Sequence, residues 1–203
     1  MIFYVDAHAE KGGDGSREHP FQRIGQAAGT AQPGDEILVS PGVYCEEVNP
    51  INAGTSQKRI TYRSAIPGKA VITGADTFDS WEPYQKDVWK LTVPNAYFGN
   101  YNPYTTLVSG DWLNIPTQVH TGEVYLNGKS LYEKDSLEKV LDPEYFDASW
   151  DREYTKHTWY TCQSGTEDAT VIYANFQGKD PNREHVEINV RPHCFWPQEM
   201  HVD

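Results

Sequence analysis

Residues 32–44, QPGDEILVSPGVY, hold one short alternating strand between two Pro-Gly pairs. Ile37 and Val39 fall on the same side of that strand, so this side is expected to be buried. Pro41-Gly42 then turns the chain at once, and no crossover helix follows. A doubly wound parallel sheet requires such helices between its strands, so this stretch indicates a different β-architecture.

The segments around this stretch repeat its pattern. RITYRSA (59–65) and AVITGA (70–75) are two further short strands, and a Pro-Gly turn separates them. FQRIGQAAGTAQ (21–32) has small apolar residues at helical spacing, so the predicted helix can lie flat on a neighbouring layer. Short strands with sharp bends and one early helix predict the start of a right-handed parallel β-helix with an N-terminal capping helix. We assign residues 1–75 to this cap and first coil or coils.

From about residue 76 the chain changes to longer alternating strands joined by long polar loops. Asn127-Gly128 lies between two strand-like flanks and predicts a hairpin, and SLEKVL (136–141) predicts one helical turn. We predict a flanking antiparallel β-sandwich over residues 76–195, with residues 196–203 returning toward the β-helix. The predicted fold class is therefore all-β. The strand-like segments are VWKLTV (88–93), GEVYLNGKSLYE (122–133), HTWYTC (157–162), ATVIYANF (169–176) and HVEINV (185–190).

The composition limits the partners. The 203 residues include 29 Asp and Glu against 17 Lys and Arg, a formal net charge of -12. Such a field repels phosphate backbones and anionic lipids, so we expect no nucleic acid and no membrane as partner, and neutral or cationic ligands are favoured.

The N-terminus predicts a strand and not a signal peptide. Cys45, Cys162 and Cys194 are expected to be buried reduced thiols, which suits a cytoplasmic location.

The titratable residues form no recognisable catalytic or metal motif. The Gly-rich segment 10–20 lacks the spacing of a dinucleotide-binding loop, a P-loop or a calcium loop, so a surface turn is expected. Glu46-Glu47 are neighbours whose side chains point to opposite faces, so they are expected to be solvated and not an acid–base pair. His193-Cys194 lacks the second half of a zinc site. No metal and no other cofactor is expected.

Two groups of segments carry a family resemblance. The first resembles the start of carbohydrate-active parallel β-helix enzymes: HPFQRIGQAAGTAQPGDEILVSPGVYCEEVNP (19–50) and RITYRSAIPGKAVITGA (59–75). The second is more specific and is similar to glycoside hydrolase family 120, whose characterised members are β-xylosidases: VWKLTVPNAYFGNYNPY (88–104), GDWL (110–113), GEVYLNGKSLYE (122–133) and TVIYANFQGKDPNREHVEINVR (170–191).

The resemblance implies a β-helix core with a flanking β-sandwich and a retaining mechanism. It further implies exo-acting removal of xylose from short β-1,4-xylo-oligosaccharides and a homo-oligomer, often a tetramer. The family's catalytic Asp and Glu lie on later coils, and no acidic residue of this chain corresponds to them. We therefore assign no catalytic residue here, and we expect the chain to be an N-terminal part that is inactive by itself.

Asp111-Trp112 is the candidate substrate-binding pair. It lies in a long polar loop, where an indole can stack on the apolar face of a pyranose and Asp111 can accept a hydrogen bond from a sugar hydroxyl. Anchoring of the loop by Trp112, or a subunit contact, are alternative roles. The other five tryptophans are expected to serve as core or inter-sheet packing: Trp81, Trp89, Trp150, Trp159 and Trp196.

Two other functions remain open at this point. The chain could be a carbohydrate-binding or assembly module without catalysis of its own. It could also belong to a β-helix polysaccharide lyase, which acts on acidic sugars. The sequence has no cluster of Lys and Arg such as a lyase cleft requires, so the glycosidase hypothesis is preferred.

Overall fold

The computed structural model describes residues 1–111, 113, 118–198 and 200–202. Strands dominate these residues, with fourteen short strands and two α-helices of five residues each. The described chain is therefore all-β, as predicted, and it contains no helix long and apolar enough to cross a bilayer. It divides into two compact units. Unit 1 is Met1–Gly74 with the segment that begins at Arg191, and unit 2 is Ala75–Val190.

Unit 1 is built from parallel strand pairs. β1, β2 and β4 form one parallel ladder in that order, and β3 and β5 form a second one. Two isolated parallel bridges, Val48–Phe195 and Ile60–Val202, join the C-terminal segment to the same unit. Short strands therefore stack in one direction, without hairpins. The strands are β1 (Ile2–Val5), β2 (Glu36–Val39), β3 (Gly42–Cys45), β4 (Thr61–Ser64) and β5 (Ala70–Thr73).

The chain passes from the first ladder to the second within the stretch 32–44. Ile37 and Val39 of β2 are 0% and 4% exposed, so the predicted inward face is confirmed. Pro41-Gly42 does more than turn the chain, because β3 begins at Gly42 itself and pairs with β5. The sequence pattern did not indicate this strand.

The predicted helix of residues 21–32 is present but shorter. α1 covers Ile24–Ala28 and packs against β1 and β2. It cannot begin at Phe21, because that residue pairs with β1. The N–H of Phe21 donates to the carbonyl of Tyr4, and the carbonyl of Phe21 accepts from the N–H of Asp6, each at 2.9 Å.

Glu46 closes the N-terminal end of α1. Its two carboxylate oxygens accept hydrogen bonds from the N–H groups of Ile24 and Gly25, both at 2.8 Å. The first N–H groups of a helix have no partner within the helix, so this carboxylate satisfies two of them. Glu46 is only 7% exposed, and the prediction of a solvated carboxylate was wrong for it.

Unit 2 contains two sheets around one buried cluster. The first has the order β10-β9-β14-β6 and the second the order β11-β12-β13-β8-β7. Side chains of both sheets, among them Ile172 and Ile188, belong to the same cluster. The second sheet is not purely antiparallel, because β11 runs parallel to β12. The strands are β6 (Ala75–Thr77), β7 (Glu82–Gln85), β8 (Val88–Pro94), β9 (Val124–Leu126), β10 (Lys129–Ser130), β11 (Tyr132–Glu133), β12 (Thr158–Gln163), β13 (Ala169–Asn175) and β14 (Val186–Asn189).

Two local predictions in unit 2 are confirmed. Asn127 and Gly128 join β9 to β10 with φ values of 54° and 77°, the left-handed pair that a tight type I′ hairpin requires. The second α-helix, α2 (Leu137–Leu141), begins after Ser136, whose side chain accepts from the N–H of Lys139. Three short 3₁₀ helices complete the unit: Asn95–Phe98, Arg152–Lys156 and Pro181–Arg183.

Burial divides the five tryptophans that were predicted to pack. Trp81 and Trp159 are buried, with 3% and 1% exposure, and Trp89 packs against the unit 2 cluster. Trp150 is 93% exposed and Trp196 is 48% exposed, so the prediction was wrong for these two.

The cysteines also differ from the prediction. Cys45 and Cys194 are exposed, and Cys162 is half-buried. In β3, strand alternation turns Tyr44 inward at 3% exposure, and the next residue, Cys45, consequently faces outward.

Candidate functional site

The predicted sugar-binding residues lie in the long connection between β8 and β9, and Asn102 fixes the start of that connection. The Asn102 side-chain amide donates to Asn95 Oδ1 at 3.1 Å and to Thr170 Oγ1 at 2.8 Å. Its own oxygen accepts from the N–H of Tyr104 at 2.9 Å. One side chain thus links the start of the connection to β13, so this start is held in place.

The middle of the connection is a narrow two-stranded stem. Val108 N–H donates to the carbonyl of Val119 at 2.9 Å. Leu107 and His120, the next residues along the two strands of the stem, form an antiparallel bridge. We call the segment between Val108 and Val119 the excursion.

Asp111 lies in this excursion and is exposed. The N–H of Leu113 donates to the carbonyl of Gly110 at 3.1 Å, which makes a tight turn around Asp111. An exposed carboxylate at the end of a fixed stem is available to accept a hydrogen bond from a ligand hydroxyl. Trp112, the other predicted binding residue, lies outside the described residues.

A cluster of titratable groups includes the stem residue His120. His120 Nδ1 is 2.6 Å from Glu133 Oε1, and His120 N–H donates to Glu133 Oε2 at 2.9 Å. Glu123 is close enough for the Glu133 charge to act on it. Burial raises the pKa of Glu123, the Ser130 hydroxyl bonded to its carboxylate opposes that shift, and the Glu133 charge adds to it. The cluster therefore places the partly buried carboxyl group of Glu123 beside the ion pair of Glu133 and His120.

Two neighbouring carboxyl groups are the components of an acid–base pair, but the carboxylate oxygens of this cluster are engaged within the protein. Both oxygens of Glu133 are bonded to His120, and the Glu133 side chain is only 12% exposed. A nucleophilic carboxylate needs an oxygen that can reach an anomeric carbon. The arrangement instead fixes the base of the stem, and through it the position of Asp111.

Sequence reasoning did not single out His120, Glu123 or Glu133. The hairpin at Asn127-Gly128 could have indicated the cluster, because the two arms of a hairpin run side by side. Extending that pairing outward brings the region of His120 and Glu123 next to Glu133. The N–H of Leu131 donates to the carbonyl of Val124 at 2.8 Å, as this extension requires.

In unit 1, the Gly-rich segment 10–20 lines an open cavity of about 520 Å³. Its turn is held internally: Asp14 accepts a hydrogen bond from the N–H of Ser16 at 2.9 Å, and this bond lowers the pKa of Asp14. Acidic residues and His19 line the cavity. No three His, Cys, Asp or Glu side chains in the described part of the chain are grouped as metal ligands would be. The segment is a surface turn, as predicted.

Comparison with known proteins gives one family. The family model for the glycoside hydrolase 120 insertion domain matches residues 78–188, more than half of the chain. A solved structure described as "The complex structure of XylC with xylose" matches all of this chain at 40% identity and a TM-score of 0.90. This chain covers 34% of the XylC chain.

A curated relative is more distant. The protein YwoF of Bacillus subtilis (strain 168), described as uncharacterized, is 30% identical over 71 residues, which are 35% of this chain and 15% of YwoF. The chain thus spans only a small part of each relative. The chain belongs to glycoside hydrolase family 120, and residues 78–188 form its insertion domain.

Proposed function

We propose that the chain is the N-terminal part of a retaining, exo-acting β-xylosidase that hydrolyses short β-1,4-xylo-oligosaccharides. The observation that carries this proposal is the similarity of the whole chain, at 40% identity, to XylC, whose structure was determined with xylose. Because the chain spans 34% of XylC, the complete activity rests on residues beyond those present here.

The proposal includes the architecture. The two ladders of unit 1 are the first coils of a right-handed parallel β-helix, and the two sheets of unit 2 form a β-sandwich. Three parallel strand pairs and two parallel bridges support the β-helix. The single buried cluster to which both sheets of unit 2 contribute supports the sandwich.

Catalysis in a retaining glycosidase needs two carboxyl groups roughly 5–5.5 Å apart. One carboxylate attacks the anomeric carbon and forms a glycosyl ester, while the other group protonates the departing glycosidic oxygen. The second group then deprotonates the water that cleaves the ester. We place both groups outside this chain. The engagement of Glu46 and Glu133 by protein N–H and imidazole groups supports this placement.

The substrate-binding contribution of this chain is Asp111 with Trp112, in the excursion at the end of the stem. The ligand is a neutral xylo-oligosaccharide, which suits a protein with a net charge of -12.

A homo-oligomer, by family resemblance a tetramer, belongs to the same proposal. So does a reducing, cytoplasmic location, because three widely spaced cysteines do not make a disulfide framework.

Hydrolysis of xylobiose by the intact protein tests the function. The initial products are observed by ¹H NMR before mutarotation. The expected result is an initial excess of β-xylose over its equilibrium share, because the xylose released from the non-reducing end keeps the β configuration. An initial excess of α-xylose would contradict the retaining mechanism. An absorbance that rises at about 232–235 nm on a uronate polymer, without xylose release, would replace the glycosidase with a lyase, since β-elimination leaves an unsaturated product.

A further inference from the structure

Trp150 is the most exposed large apolar side chain among the described residues, with 93% of its surface facing solvent. An indole is the largest apolar side chain, and leaving it in water forgoes the favourable burial that Trp81 and Trp159 obtain in the same unit. Neighbouring Phe146 is 59% exposed. Aromatic surface at one place on a folded unit indicates a binding surface.

The backbone holds Trp150 in this position. Ser149 N–H donates to the carbonyl of Phe146 at 3.0 Å, and Asp151 N–H donates to Ser149 Oγ at 3.2 Å. Phe146 N–H in turn donates to Oγ1 of Thr155, which is 1% exposed. The segment is thus tied on both sides of Trp150, and ligand binding would not have to order it first.

The neighbouring aromatic faces are already covered by the protein. Lys129 Nζ lies 3.7 Å from the ring centre of Tyr154, and the ring of His157 stacks on Tyr154 with their centres 4.2 Å apart. Arg152 lies 3.8 Å from the ring centre of Tyr145. Lys129 is 5.7 Å from the Trp150 ring, which leaves most of that indole open to a ligand.

The charged side chains around Trp150 are paired with one another. Lys129 forms an ion pair with Asp151, and Arg152 bonds to Asp147 at 2.6 Å and to Glu153 at 2.9 Å. A strongly acidic or basic ligand would have to compete with these ion pairs. A neutral ligand with many hydroxyl groups would find both donors and acceptors around a flat apolar face.

We propose that Trp150 is the platform of a surface site for a neutral β-1,4-linked polysaccharide chain, separate from the excursion that carries Asp111. The pyranose rings of such a chain have apolar C–H faces that stack on an indole, and their hydroxyls bond to the charged side chains at its edge. The proposal rests on membership of a glycoside hydrolase family and on the exposed indole. It does not depend on the β-xylosidase assignment.

Retention of the intact protein on insoluble xylan, measured without turnover at 4 °C, tests this site. Trp150→Ala is expected to weaken retention about tenfold, and Trp150→Phe by less, because it keeps a flat ring. Trp196→Ala is the matched control, since Trp196 is 48% exposed in unit 1 and stacks on His193 at 4.1 Å. The control is expected to bind like the parent protein. Thermal unfolding of each variant checks that the fold is kept.

Two results would overturn the proposal. Equal retention of Trp150→Ala and the parent protein would remove the platform role. A change of oligomeric state in Trp150→Ala, observed by sedimentation velocity in the absence of sugar, would show that a second copy of the chain covers Trp150. Loss of xylobiose hydrolysis with unchanged polysaccharide binding would bear on the proposed activity and not on this site.

Discussion

At the scale of single residues, Glu46 holds α1 onto the strands of unit 1. A five-residue helix is too short to be stable by itself, and its first N–H groups need acceptors from elsewhere. Glu46 supplies two, to Ile24 and Gly25. Its neighbour Glu47 instead lies 3.3 Å from His193 near the surface. Strand alternation separates the two carboxylates, but it does not tell which of them turns inward, because the contact with α1 decides that.

Glu46→Ala is expected to lower the free energy of unfolding of unit 1 by about 3 kcal/mol, because one buried and one partly buried N–H group lose a charged acceptor. Glu46→Gln keeps one carbonyl acceptor and is expected to lose about half of that. Urea denaturation measures the change, and hydrogen exchange of the Ile24 and Gly25 amides locates it. Glu47→Ala is the control and should change stability by less than about 0.5 kcal/mol. Equal unfolding free energies for Glu46→Ala and Glu47→Ala would contradict the helix-closing role.

At the scale of elements, local chemistry was sufficient for some features and insufficient for others. The hairpin at Asn127-Gly128 was predictable, because its turn depends only on residues adjacent in sequence. The late start of the predicted helix was not, since Phe21 is held by a bridge to β1. β3 and the parallel pairing of β11 with β12 depend on partners more than twenty residues away. A periodicity within one segment contains no information on such partners.

The connection between β8 and β9 gives the element-scale prediction. Trp112→Ala in the intact protein is expected to raise KM for xylobiose about threefold to tenfold, the loss of one stacking contact. Asp111→Asn is expected to have a smaller effect, because an amide oxygen still accepts a hydrogen bond. Initial rates over a range of xylobiose concentrations measure both. Thr105→Ala, an exposed change in the same connection, is the control and should leave KM unaltered. Unchanged KM and kcat for Trp112→Ala would remove its binding role.

At the scale of the whole molecule, family membership was predictable from the sequence, but the exposure of individual surface side chains was not. Motifs spread from residue 19 to residue 191 carried the resemblance, and the family model and XylC agree with it. Exposure of Trp150 was not predictable, because the alternation that marks buried tryptophans in strands has no counterpart in a loop. The catalytic pair could not be assigned from these residues, since the proposal places it beyond them.

The central claim is that this chain supports a retaining xylosidase but does not supply its nucleophile. Trapping the glycosyl-enzyme of the intact protein with a 2-deoxy-2-fluoro-β-xylosyl fluoride, followed by peptide mapping by mass spectrometry, tests it most directly. The expected result is one labelled Asp or Glu that is not among the 29 acidic residues of this chain. A label on any carboxylate between residues 1 and 203 would contradict the claim.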